Sequence, residues 1–168
     1  MKGLISYSSR TGNTEKLAKT LQRMLTENGD TWDLCPVSEA KWDDSYDVLL
    51  HGIWVNRTDL DSDSKKFLKS LPKGLRMGIF GTSGGEHMSE YGMRLQNHLK
   101  EAVEPFEHIG TKLTYGKVDP QMKDKVDGIL GVLVPKKIKE HILEMVEKSR
   151  EATEEEREDV ARYFLERL

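Results

Sequence analysis

The fold of this 168-residue chain is decided by residues 4–18, which read LISYSSRTGNTEKLA. The apolar residues 4–7 predict a buried strand, and apolar residues at helical spacing beyond residue 14 predict a helix. Residues 8–14 lie between them and carry four hydroxyls, one amide and one glycine. A helix start offers unpaired N–H groups and the positive end of the helix dipole, and a polar turn adds donors. We therefore predict that this turn binds a phosphate group without a lysine.

Other interpretations of the turn fit its residues less well. An ordinary helix N-cap also favours Ser, Thr and Asn, but one such residue satisfies a cap, whereas residues 8–14 hold five of them. The dinucleotide fingerprint needs three spaced glycines, and the nucleoside triphosphate loop needs Gly-Lys-Ser/Thr. Neither pattern is present, so the turn predicts a single terminal phosphate and not a pyrophosphate.

The same turn resembles a known motif. Residues 8–14, SSRTGNT, are similar to the flavin mononucleotide (FMN) phosphate loop of flavodoxins, whose usual form is Ser/Thr-x-Thr-Gly-Asn-Thr. The strand before it and the helix after it supply the context that this motif requires. The resemblance implies FMN as cofactor and a cofactor-binding role for every residue of the loop: Ser8, Ser9, Arg10, Thr11, Gly12, Asn13 and Thr14.

Strands and helices alternate along the remaining chain, which predicts an α/β fold with a parallel sheet. Right-handed crossovers bring the loops after strands one, three and four to one edge of that sheet. The resemblance adds a flavodoxin-like, three-layer, doubly wound sheet of five strands in the order 2-1-3-4-5, followed by extra C-terminal helices. We expect residues 1–168 to form a single domain, and we predict that Thr153 and Glu156 form a capping box at the last helix.

A loop is predicted over residues 53–62, directly after the third strand. Trp54 lies where an isoalloxazine ring would stack, although it can also be a core residue that covers the end of the sheet. By resemblance to flavodoxins, Val55 and Asn56 also contact the flavin. Many flavodoxins have a glycine here whose peptide reorients when the flavin is reduced, and Asn56 is the residue best able to adopt a positive φ. By the same resemblance, Thr58 is expected to reach the phosphate.

Two further loops are predicted at the same edge. Residues 82–90 are rich in Gly and Ser, and flavodoxins use the corresponding loop to bond the pyrimidine edge of the flavin. Tyr91 resembles a ring-stacking tyrosine, or it begins the next helix. A Gly-Lys pair after strand five resembles a small flavodoxin-like subgroup that is associated with bilin or bilirubin reduction. The cofactor-binding residues predicted here are Thr82, Ser83, Gly84, Gly85, Tyr91 and Gly116.

Composition limits the remaining functions. A net charge of -3 does not suggest a nucleic-acid partner. The sequence shows neither an apolar run of membrane-spanning length nor a signal-peptide profile, so we expect a cytoplasmic protein without membrane contact. The five histidines show no metal-ligand spacing. We expect no metal, surface roles for the histidines, and at most a proton-donor role for His87.

These observations predict an FMN-binding electron carrier, a monomer or weak dimer, that passes single electrons to or from a redox partner protein, either a reductase or an electron acceptor. No catalytic residue is predicted. The alternative is an FMN-dependent enzyme that reduces quinones or nitro compounds with NADH or NADPH. A phosphoacceptor signalling domain ranks far below both, because it needs carboxylates where Ser8 and Ser9 stand.

Overall fold

A computed structural model describes residues 1–56, 59–84, 90–128 and 134–168; the side chains of Asn56, Glu90, Tyr91 and Asp127 are outside the description. Strands and helices alternate through most of the chain, as the sequence predicts. The strands are β1 (Lys2–Tyr7), β2 (Thr31–Pro36), β3 (Val48–Asn56), β4 (Asp59–Leu60), β5 (Arg76–Ser83) and β6 (Glu107–Tyr115). The helices are α1 (Asn13–Glu27), α2 (Ser62–Ser70), α3 (Glu90–Val103), α4 (Gln121–Asp127), α5 (Lys136–Lys148) and α6 (Glu154–Leu165).

The parallel strands follow the order β2-β1-β3-β5-β6. Counted without the two-residue β4, this is the predicted order 2-1-3-4-5, so the doubly wound flavodoxin-like fold is confirmed. β4 was not predicted; it pairs with the end of β3 in an antiparallel hairpin. The strand order reverses between β1 and β3, and ligands of open α/β sheets bind at that point.

Two strands are longer than the sequence predicts. β3 continues to Asn56 and β5 continues to Ser83, so the predicted loop starts at residues 53 and 82 were wrong. Trp54 of β3 lies opposite Thr82 of β5 in the parallel ladder. The two extensions satisfy each other's backbone hydrogen bonds. The sequence of either segment alone does not indicate this pairing.

Side chains that alternate along the strands fill two cores, one on each face of the sheet. Leu4 belongs to the core that α2 and α3 cover, whereas Ile5 belongs to the core that α1 and α6 cover. The result is the predicted three-layer arrangement. The carboxyl ends of β1, β3, β5 and β6 meet at one edge, where the predicted site residues lie.

The last helix closes the second core. Thr153 and Glu156 form the predicted capping box, with the hydroxyl of Thr153 3.2 Å from the N–H of Glu156. Phe164 of α6 is fully buried, and a Cβ atom on Gly78 of β5 would lie 2.5 Å from its Cε1 atom. The glycine therefore leaves the space that the Phe164 ring occupies.

The chain between β6 and α6 contains two helices that pack on each other, α4 and α5. None of the described residues of α5 is buried. Throughout the described ranges, every helix is too short or too polar to cross a bilayer.

Candidate functional site

The turn between β1 and α1 exposes backbone donors. Gly12 is the N-cap of α1, has a φ of 84°, and makes no side-chain capping bond. The first-turn N–H of Glu15 donates to the hydroxyl of Ser9 at 3.3 Å, and the N–H of Lys16 donates to the carbonyl of Gly12 at 3.0 Å. In the described part of the chain, the N–H groups of Asn13 and Thr14 have no protein acceptor. An ordinary side-chain cap is therefore absent, and the turn keeps donors for an anion.

Two side chains of the turn fasten it to the neighbouring strand ends. The amide of Asn13 donates to the hydroxyl of Thr11 at 2.7 Å and to the carbonyl of Lys117 at 3.0 Å. The hydroxyl of Thr14, fully buried, donates to the carbonyl of Ile53 at 3.2 Å and lies 3.0 Å from the hydroxyl oxygen of Thr82. These contacts hold the turn against β3, β5 and the segment after β6. Among the hydroxyls of the turn, that of Thr11 is exposed and that of Ser9 is half-buried, whereas those of Ser8 and Thr14 are buried.

Ser8 lies deeper, against a buried carboxylate. Its hydroxyl donates to Oδ1 of Asp61 at 2.9 Å, and its N–H donates to the carbonyl of Gly52 at 2.8 Å. Asp61 is the N-cap of α2, where it also accepts from the N–H groups of Asp63 and Ser64. This residue ties α2 to the end of β1. Asp61 was not predicted as a site residue, although its position at the start of a helix is a recognisable capping signal.

Arg10 is the charged member of residues 8–14 and reaches across the edge of the sheet. Its guanidinium lies 5.5 Å from the centroid of the Trp54 ring and 3.3 Å from Oδ2 of Asp119. Trp54 and Val55 are half-buried near the end of β3. The side chain of Arg10 therefore connects three parts of the edge: the predicted phosphate loop, the predicted ring-stacking residue Trp54, and the segment after β6.

The ends of β5 and β6 are in close contact. Thr82 and Ser83 are buried, and the carbonyl of Ser83 accepts from the N–H of Gly116 at 3.0 Å. A Cβ atom on Gly116 would lie 2.7 Å from Cβ of Thr82, and one on Gly84 would lie 2.2 Å from a Val118 methyl. These glycines permit a close approach between two stretches of the protein.

Comparison with known proteins assigns this arrangement to a family. Residues 4–164 match the family described as Flavodoxin domain. This chain belongs to the flavodoxin domain family. That membership supports FMN as the cofactor.

Individual relatives agree with this flavodoxin-domain assignment. BilS, a flavodoxin-like domain-containing protein of Clostridioides difficile strain CD3, is 30% identical over 132 residues, which are 77% of this chain and 74% of that protein. Flavodoxin 1 of Escherichia coli K12 is 29% identical over 110 residues, and the match spans 60% of either chain. A flavoprotein of Lactobacillus acidophilus NCFM, solved in complex with FMN, has a TM-score of 0.53 at 19% identity, over 75% of this chain and 96% of that one. Because the identity is only 19%, the similarity to this flavoprotein supports the fold alone.

Some predicted contacts of this flavodoxin-domain protein stay predictions. Thr58, Gly85 and His87 lie outside the described residues. Asn56 ends β3 and Tyr91 lies in the first turn of α3, but their side chains are not described. Tyr91 thus lies within a helix, which was one of its two predicted positions.

One histidine departs from the expected surface role. His51, in the middle of β3, is fully buried, and its Nδ1 lies 2.7 Å from the hydroxyl oxygen of Ser6. Its Nε2 has no hydrogen-bond partner among the described residues, and its ring lies 5.2 Å from the Phe67 ring. Burial lowers the pKa of His51 to about 4, so the imidazole is neutral near pH 7. Among the described residues, no cluster of His, Cys, Asp or Glu side chains is suited to a metal ion.

Proposed function

We propose that this flavodoxin-domain protein binds one FMN without a covalent bond and carries electrons to and from a partner protein. The observation that supports this most directly is the free N–H groups of Asn13 and Thr14 at the start of α1. They lie where the strand order reverses, which is the preferred ligand position in such sheets. The left-handed Gly12 and the positive end of the helix dipole complete a turn that suits a phosphate dianion.

Different residues of the chain bind the phosphate and the ring of the cofactor. The N–H groups of the turn and the hydroxyls of Ser9 and Thr11 bind the phosphate, while Thr14 and Asn13 keep the turn in place. Trp54 and Val55 contact the flavin ring at the end of β3, and the ends of β5 and β6 border it. When bound, FMN supplies the redox chemistry, and the protein supplies orientation and electrostatics.

Electron exchange with a partner needs only a small and transient contact. Flavodoxins transfer electrons to partner proteins. The similarity to BilS fits the bilin-associated subgroup that the sequence resembles. We therefore propose single-electron transfer with a partner reductase that acts on bilins, through a flavin edge near Trp54 and Tyr91.

Absorbance of the purified protein tests the proposal directly. We expect a yellow protein whose cofactor, once released by heat, co-elutes with authentic FMN and not with riboflavin or FAD. NADH or NADPH added without oxygen should leave the flavin oxidised. A separate reductase that donates electrons to flavodoxins, added with its own electron donor, should then reduce the flavin. Rapid bleaching by the nicotinamide alone would instead indicate the quinone or nitro reductase. A protein that stays colourless after incubation with FMN would contradict the proposal.

A further inference from the structure

The ion pair between Arg10 and Asp119 lies beside the predicted phosphate site and has no evident role in closing the fold. The two side chains are 37% and 18% exposed, so solvent only partly screens their attraction. Oδ1 of Asp119 also accepts from the N–H of Gln121 at 3.0 Å, which fixes the carboxylate at the start of α4. Arg10 is therefore held over the Trp54 ring by a carboxylate that the fold positions independently.

The segment around Asp119 is fastened to its surroundings by other contacts. The carbonyl of Lys117 accepts from the side-chain amide of Asn13, and the N–H of Val118 donates to the hydroxyl of Ser149 at 3.0 Å. These contacts keep the segment in place without help from Arg10. A purely structural role for the Arg10–Asp119 pair is therefore not needed.

The charges of the Arg10–Asp119 pair suggest a role in binding the phosphate. A guanidinium binds carboxylate and phosphate oxygens with the same planar, two-pronged geometry. Arg10 belongs to the loop that is proposed to bind the phosphate, where every other residue is uncharged. A dianion bound in that loop competes with Asp119 for the same cation.

We propose that Arg10 is the residue that makes this site select the phosphorylated flavin, and that Asp119 is a competing carboxylate that holds Arg10 over Trp54 until the phosphate is present. This inference rests on the proposed FMN function. Arg10 then adds a counter-charge to the phosphate, and Asp119 sets how much of that counter-charge is available. Riboflavin, which has the same ring system without the phosphate, should be insensitive to both residues.

The test is to titrate flavin-free protein with FMN and, separately, with riboflavin. Quenching of the flavin fluorescence reports the binding in both titrations. Arg10→Ala should weaken FMN binding by about tenfold or more, the size of a charge-assisted hydrogen bond, and leave riboflavin binding within about twofold. Asp119→Asn should strengthen FMN binding several-fold and leave riboflavin unchanged. In the double variant, the gain from Asp119→Asn should disappear, because the cation that it releases is absent.

Glu151→Gln is the control, since it breaks the ion pair between Lys16 of α1 and the connection before α6 without touching Trp54. It should leave the affinity ratio of FMN to riboflavin unchanged. Equal losses of both flavins in Arg10→Ala, with an unchanged ratio, would overturn the inference and leave the FMN function intact. Failure of the unmodified protein to bind FMN would overturn the proposed function itself. Melting temperatures of the flavin-free variants establish that each one is folded.

Discussion

At the scale of single residues, His51 couples the stability of the sheet to pH. The side chain is buried between β1 and β5, and its Nδ1 is bonded to Ser6. Because burial lowers its folded pKa from 6.5 to about 4, the unfolded chain takes up the proton first as pH falls. The stabilisation from a neutral His51 is complete above about pH 6.5 and is lost progressively down to about pH 4.

Replacement of His51 by Asn tests this coupling, because Asn keeps a polar group near Ser6 but cannot be protonated. Between pH 6.5 and 4, the free energy of unfolding should change less steeply with pH in this variant than in the unmodified protein. The difference in slope should be up to about 1.4 kcal/mol per pH unit. Urea unfolding at a series of pH values measures the slope. His108→Asn, at an exposed position of β6, is the control and should follow the unmodified protein. An unaltered slope in His51→Asn would exclude His51 as its source.

Gly12 and Gly29 give a matched pair for the phosphate turn. They lie at opposite ends of α1, have φ values of 84° and 98°, and a Cβ atom on either would meet no atom within 4 Å. Alanine at either position should therefore cost about 1–2 kcal/mol of folding free energy through backbone strain. Gly12→Ala should also weaken FMN retention, whereas Gly29→Ala should not. Chemical denaturation and FMN titration separate the two effects, and equal FMN affinities would argue against the phosphate assignment.

The residues of the turn between β1 and α1 could be singled out from the sequence because they are contiguous and lie between a strand and a helix. Their long-range partners were not. Arg10 and Asp119 are more than a hundred positions apart, and neither residue type indicates the other. His51 was misassigned because a lone histidine in an apolar strand carries no sign of the serine that lies opposite on β1.

At the scale of elements, α2 depends on one carboxylate. Asp61 is 3% exposed and accepts hydrogen bonds from Ser8, Asp63 and Ser64. Loss of a helix cap costs about 1 kcal/mol, and a buried donor left unpaired costs about 1–3 kcal/mol more. The end of β1 and the start of α2 are thus held by the same group.

Asp61→Ala should therefore lower the free energy of unfolding by about 2–4 kcal/mol. Asp63→Ala is the matched control: Asp63 is an exposed acid in the first turn of the same helix, and its removal should cost less than about 1 kcal/mol. Guanidinium unfolding measures both variants. Similar losses in the two would mean that the helix dipole, and not the buried cap, stabilises α2.

Element types could be predicted from the sequence better than element ends. Hydrophobic periodicity located the helices and the parallel strands, and the Thr153–Glu156 capping box marked the start of α6. The ends of β3 and β5 extend because the two strands pair with each other. That pairing is a tertiary effect, which local residue preferences do not encode.

At the scale of the whole molecule, FMN should stabilise the fold because its proposed site joins the ends of several strands. A ligand that binds only the folded state adds about 2.7 kcal/mol at a free concentration 100-fold above Kd. The melting temperature of the flavin-free protein should therefore rise with FMN concentration, and riboflavin at the same concentration should raise it less. Differential scanning calorimetry measures both effects. An FMN-independent melting temperature would contradict specific binding.

The strand order was predictable because alternating strands and helices with right-handed crossovers leave few arrangements, and the resemblance selected one of them. The chain between β6 and α6 was less predictable, because its helices α4 and α5 pack mainly on each other. Its importance to the site comes from Lys117 and Asp119, which reach the turn before α1.

The burial of Phe164 over Gly78 has a consequence for biosynthesis. α6 follows every strand along the chain, so during translation the strands are synthesised before the helix that covers this face together with α1. Until α6 is released, the apolar surface that Phe164 covers at Gly78 stays exposed, and transiently exposed surface of this kind is what chaperones bind.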